Sequence, residues 1–130
     1  MTNIEIIRTW IKALYTNDFT TIKNLMSANY ECRNPMTPNL SSANEHLGML
    51  QSLQSVFEAH HELDMIIEEN NYVVISGKWK GKHIGEFNGV PATGKTVEFY
   101  LIDCYHIVDG KIEKRHVEFN PMPLMGLAKS

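Results

Sequence analysis

Cysteine is nearly absent, with only Cys32 and Cys104 in 130 residues. Two thiols build neither a disulfide framework nor a zinc set, so they read as free cysteines in a reducing compartment. Apolar runs are short. No stretch approaches the ~18 consecutive apolar residues that would span a bilayer, which excludes a transmembrane helix. Surplus positive charge is also missing: 12 Lys and Arg stand against 15 Asp and Glu, for a net charge of −3. No nucleic-acid-binding surface is advertised by that balance. The start, Met-Thr-Asn-Ile-Glu-Ile-Ile-Arg, lacks a basic segment followed by an apolar one, so a cytoplasmic location is expected. No repeat, linker or low-complexity segment interrupts the chain. It is expected to form a single domain over 1–130, large enough for a core without staples.

What is present is periodicity. Thr2 to Glu5 and Ser42 to Glu45 are capping boxes, each opening a helical stripe: Ile4, Ile7, Ile11 and Leu14, then Leu47, Leu50, Leu53 and Phe57. A short helix starts at Asn17 or Asp18, and Tyr30 to Asn34 reads as a strand stopped by Pro35. Beyond Phe57 the period becomes two. Leu63, Met65 and Ile67 alternate with charged residues, Asn70-Asn71 turns the chain, and Val73, Ile75, Gly77 and Trp79 share the next strand's inner face. A strand from about Thr96 to Val108, an Asp109-Gly110 hairpin turn and a strand to about Asn120 complete a meander. Helices followed by an antiparallel meander give an α+β fold, with helices on one face of a curved sheet and a cavity between.

One stretch imitates a nucleotide site. Gly89 to Thr96, "GVPATGKT", satisfies the phosphate-loop pattern G-x-x-x-x-G-K-[ST]. A phosphate loop must open a helix, whereas Thr-Val-Glu-Phe-Tyr-Leu-Ile after Lys95 has strand character, so the match is accidental. A metal reading of His60-His61 fails as well. Neighbouring strand residues point to opposite faces, so the two cannot share an ion, and no metal or redox cofactor is implied.

The hairpin carries the candidate chemistry. If Asp109-Gly110 is a two-residue loop, Val108 pairs with Lys111, and Asp103 faces His116, Leu101 faces Glu118 and Phe99 faces Asn120. Tyr100, Ile102, Val117 and Phe119 then lie on the other face. Asp103–His116 has the logic of a base oriented by a carboxylate, burial would raise the pKa of Glu118, and the Asn120 amide can donate to an enolate oxygen. A slipped register, or a solvated face bearing cross-strand surface pairs, is the alternative. His83 shares its parity with Trp79 and points inward. His106 falls on the opposite face unless a β-bulge turns it. Tyr30 reads as a core residue, and Arg33 either reaches the cavity with Asn34 or forms a surface ion pair.

"GKHIGEFNGVPATGKTVEF" resembles the segment G-x-H-x-G-x-F-x-G-x-P-x-T-G-K of the SnoaL-like polyketide cyclases, within the nuclear-transport-factor-2-like superfamily that also holds ketosteroid isomerase. "LIDCYHIVDGKIEK" is similar to the family's strand–turn–strand, and "YECRNP" to its first-strand signature. The resemblance implies a cone-shaped, curved mixed or antiparallel sheet with N-terminal helices on its concave face. It places His116, Asp103, Glu118 and Asn120 at the catalytic surface, with His83, Arg33, Asn34, Tyr30, Trp79, Phe99 and His106 around a hydrophobic substrate. Asn120 stands where the family's cyclases carry a catalytic aspartate, His116 where tryptophan is common, and Arg33 where the signature has histidine. The implied function is a cofactor-free aldol cyclase, isomerase or lyase acting through an enol on a small hydrophobic carbonyl compound. The alternative is a non-catalytic ligand-binding or assembly domain. The apolar outer face of the sheet implies a homodimer.

Overall fold

The computed structural model describes residues 1–129. Its first helix, α1 (Asn3–Tyr15), is opened by the Thr2–Glu5 capping box, and α2 (Phe19–Leu25) by the Asp18 side chain. Strand β1 (Met26–Arg33) leads through a loop to the two-residue β2 (Ser41–Ser42), and the Ser42–Glu45 capping box opens α3 (Ala43–Val56). The meander follows as β3 (Phe57–Glu69), β4 (Tyr72–His83), β5 (Thr96–Val108) and β6 (Lys111–Phe119). A short helix α4 (Met122–Met125) and a 3-10 turn (Gly126–Lys129), neither anticipated from sequence, end the described chain.

The six strands form one mixed, curled and unclosed sheet in the order β2-β1-β6-β5-β4-β3. β1 runs parallel to β6 and every other neighbouring pair is antiparallel. Local signals set the corners. Asn70 and Asn71 take φ of 52° and 65°, and Asp109 and Gly110 take 50° and 76°. Paired positive φ values suit the tight hairpins whose twist matches that of the strands. Around α1 the core forms on Ile6, Ile7, Trp10, Ala13 and Leu14, so the buried stripe is turned toward Trp10, and Ile4 and Ile11 lie at its margin. A second cluster joins Phe57, Trp79, Val97, Leu101 and Val117 to Leu124 and Leu127 from the C-terminal segment.

One feature of the hairpin overturns the expected register. Val108 pairs with Lys111 and Ile107 with Ile112, but His106 pairs with Lys114, so Glu113 is an extra residue on β6. Beyond this bulge Tyr105 faces Arg115, Cys104 faces His116, Asp103 faces Val117 and Leu101 faces Phe119. Side chains alternate with a period of two, so one inserted residue sends each later one to the other face. His116 and Glu118 therefore leave the concave surface, while Arg115, Val117 and Phe119 enter it. The outer surface keeps Tyr100 and Ile102, which are 68% and 58% exposed, but Val117 and Phe119 do not lie there.

Gly89 to Lys95 runs without helix into β5, so no helix N-terminus is available to a phosphate. The loop is fixed at both ends instead: Ile84 and Gly85 donate to the Val56 carbonyl, and Gly94 donates to that of His83. Positive φ at Gly89 and Gly94 explains two of the glycines that made the phosphate-loop match.

Candidate functional site

Between α1, α3, the concave sheet and the loop 84–95 lies a cavity of about 390 Å³. That volume is in the ordinary range for small-molecule sites. Strand alternation builds one wall from aromatics. Trp79 stacks on Phe99 at 4.8 Å between ring centroids, and Phe99 stacks on Phe119 at 4.4 Å. Leu50, Leu53 and Val56 of α3 face that wall, Leu124 closes one side, and Glu86, Phe87 and Asn88 form part of the lining from the loop.

The polar groups are concentrated around Arg115. Its Nε and Nη2 donate to the two Asp103 carboxylate oxygens at 2.9 and 2.8 Å. Tyr105 donates to Oδ2 of the same carboxylate at 2.8 Å. Asp103 is 1% exposed and the Arg115 side chain 10%, so this is a buried bidentate pair. Burial opposes the charge on Arg115, but Asp103 and Tyr105 override it and hold the guanidinium pKa above its ordinary value. The remaining nitrogen, Nη1, lies 3.5 Å from Nε2 of His46, whose Nδ1 is 2.6 Å from the Tyr30 hydroxyl. Burial, reinforced by the Arg115 charge, pushes the His46 pKa down to about 3. Burial drives the pKa values of the Tyr15, Tyr30 and Tyr105 phenols upward, so all three stay neutral.

Of the residues singled out from sequence, Asn34, Trp79 and Phe99 line the cavity. Asn34 is buried with its Oδ1 accepting from the Met36 amide, and its Nδ2 has no hydrogen-bond partner. Asp103 is buried behind the lining and bound to Arg115 rather than His116. Tyr30 is a core residue with a polar task, the hydrogen bond to His46. His83 is fully buried, yet it serves the loop: its Nδ1 contacts the Thr93 hydroxyl at 2.9 Å and amide at 3.3 Å.

The remaining expectations need correction. His116 and Glu118 bond each other at 2.7 Å on the outside, with side chains 52% and 64% exposed, because the Glu113 bulge reversed their face. Asn120 is exposed just beyond β6, where its Oδ1 accepts from the Met122 amide at the start of α4. Arg33 is exposed beside His116 on the outer surface. His106 stacks on Tyr72 at 4.4 Å and lies 3.9 Å from Glu113; the bulge falls on β6 and leaves the face of β5 unchanged.

Arg115, His46 and Tyr15 were the groups that sequence reasoning missed. Arg115 follows from the bulge. His46 lies four residues before the expected core position Leu50, hence on the same helix face, and that spacing was the available signal.

The fold matches solved structures along nearly its whole length. AclR of Streptomyces galilaeus, a candidate hydroxylase, is 23% identical with a TM-score of 0.87, covering 98% of this chain and 96% of its own. IdmH of Streptomyces antibioticus, a candidate polyketide cyclase, is 19% identical with a TM-score of 0.85 and complete coverage of both chains. An LEH-like epoxide hydrolase of M. tuberculosis is 15% identical with a TM-score of 0.77, covering 98% and 90%. At these identities the likeness shows the fold alone. No curated protein matches the chain in sequence. The family model for SnoaL-like polyketide cyclase matches residues 4–126, and the chain belongs to that family.

Proposed function

We propose that the protein is a cofactor-independent enzyme that binds a small hydrophobic carbonyl compound and carries it through an enol or enolate, in an aldol cyclisation, an isomerisation or a lyase reaction. The observation that carries this reading is the Arg115–Asp103 pair set against an apolar, aromatic-walled cavity. Two guanidinium nitrogens are committed to Asp103, which fixes the plane of the group. Nη1 is left with a single 3.5 Å contact and can donate to an oxygen as negative charge develops on it. A preorganised donor in a site of low polarity is the arrangement that stabilises an enolate without reorganisation. Asn34 also belongs to the lining, with its Oδ1 held by the Met36 amide. The names of the structural neighbours span hydroxylase, cyclase and epoxide hydrolase, so the reaction has to be argued from the site and not the scaffold.

A non-catalytic binding role is favoured by one observation. The proton carriers expected on β6 stand outside, and the buried Asp103 carboxylate is engaged by Arg115 and Tyr105. Exchange of α-protons for deuterium, followed by NMR on hydrophobic ketones, separates the two. Catalysed exchange that is lost in Arg115→Met supports the enzyme. Saturable binding without exchange leaves a ligand-holding domain.

A further inference from the structure

Among the described residues, four titratable ones line the cavity: Tyr15, His46, Glu86 and Arg115. Arg115 can only donate hydrogen bonds, and Tyr15 is held as a neutral donor by burial. Glu86 stands exposed on the loop at the mouth. His46 remains, 2% exposed and wedged between Tyr30 and Arg115.

The donors around His46 fix its tautomer. A guanidinium has no lone pair, so the imidazole nitrogen that faces Arg115 Nη1 must be the acceptor. That nitrogen is Nε2; the proton therefore sits on Nδ1 and is donated to the Tyr30 oxygen at 2.6 Å. The 3.5 Å approach of Nη1 is at the long limit of a hydrogen bond. A ligand oxygen that takes over Nη1 would leave the Nε2 lone pair without its donor, beside the atoms attached to that oxygen.

We propose that His46 is the proton-accepting catalytic residue of this cavity, presenting the Nε2 lone pair from the Nδ1–H tautomer. The inference rests on the enol chemistry proposed above. In the step, the C–H bond next to the substrate carbonyl breaks and its proton forms a bond to Nε2. The electron pair left on carbon becomes the C=C bond of the enolate, and the carbonyl π pair moves onto oxygen, facing Arg115. The imidazolium returns its proton to carbon or oxygen when the enolate collapses. The low proton affinity of the resting imidazole comes first from burial and second from the Arg115 charge. An enolate forming on Arg115 offsets that charge, so the affinity of Nε2 rises as the proton arrives.

A pH dependence follows from the neighbours on every side. Tyr30 and Cys32 of β1, Tyr15 of α1 and Tyr105 of β5 are all held neutral by burial, Arg115 and Asp103 cancel each other, and burial lowers the pKa of His61 on β3. The phenols and the thiol packed around His46 therefore stay uncharged through about pH 5 to 8, the window in which an ordinary histidine titrates.

The test uses the whole protein with 15N-labelled histidine and 2-tetralone as the ketone probe. NMR should show His46 protonated on Nδ1 and bare on Nε2, unchanged from pH 5 to 8. Deuterium exchange into the ketone should be equally flat across that range, and His46→Gln should slow it by ~100-fold or more, the usual worth of a placed base. The glutamine keeps an acceptor for Arg115 but cannot take a proton, so the probe should still raise the melting temperature of the variant. An Nε2–H tautomer, or titration of His46 near its ordinary value, overturns the assignment whether or not the variant folds. Exchange that survives His46→Gln but is lost in Glu86→Gln overturns the base and leaves the enzyme standing. No exchange by the unsubstituted protein overturns both.

Discussion

Replacing Asp103 by asparagine changes almost no volume and removes the one charge that balances Arg115. The structure sets the magnitude. Asp103 is 1% exposed and accepts three hydrogen bonds, two from Arg115 and one from Tyr105. The variant leaves the guanidinium buried and turns an amide N–H₂ toward one of its donors. Breaking a buried pair by removing a single partner costs ~3–5 kcal/mol, out of a total stability of ~5–15 kcal/mol for a domain. At ~3–5 °C per kcal/mol for this chain length, the melting temperature should fall by about 9–25 °C. Urea unfolding followed by tryptophan fluorescence reads the change directly, because Trp10 and Trp79 are both buried. The double variant Asp103→Leu/Arg115→Met removes both charges and should recover most of the loss, since two apolar side chains leave no charge stranded. A single variant within ~1 kcal/mol of the parent, or a double variant as weak as the two singles added together, would refute the view that the pair is a coupled unit.

Three further outcomes follow. His116→Ala and Glu118→Gln should leave α-proton exchange within about twofold of the parent rate, because both side chains face solvent on the outer surface; a loss approaching ~100-fold in either would return the general acid–base role to the hairpin. Magnesium-ATP and GTP should give no heat on titration, since no helix follows Lys95; micromolar binding lost in Lys95→Ala would show that the loop holds phosphate after all. Acid should destabilise the fold through His46. Its pKa in the folded protein is about 3 against an ordinary 6.5, so the unfolded chain binds more protons between those values. Stability is then complete above about pH 6.5 and is lost as pH falls toward 3, and His46→Gln should flatten that slope; an unchanged slope would mean that His46 is not the buried neutral group described here.

Most of the architecture was legible because its signals are local. Capping boxes at Thr2 and Ser42, the Asn70-Asn71 and Asp109-Gly110 turns, and the alternation along β4 each depend on a few consecutive residues. The rejection of the phosphate loop rested on the strand after Lys95, another local property. What the chain does not carry locally is the partner of each side chain across the sheet. His46 reaches Arg115 over 69 positions, and no spacing rule joins a helix face to a strand that distant. The short α4, whose Leu124 closes one side of the cavity, gave no usable period in four residues.

The candidate site was misread for a more specific reason, and the residues that caused it also contain its remedy. Along β6 the buried apolar residues are Ile112 and Val117, five apart. An odd interval puts two residues of a regular strand on opposite faces, so a straight β6 would have exposed one of them. One inserted residue between them resolves the conflict, and Glu113 is that residue. The same argument holds on β3, where Leu63 and Ile66 both pack on the core, three apart, and the register shifts at Asp64. Burial of the apolar side chains therefore decides which polar ones come with them. Once Val117 and Phe119 face inward, Arg115 must share their side and His116 and Glu118 cannot. The floor of the cavity receives a cation in place of a histidine and a carboxylate, and Asp103 becomes its counter-charge.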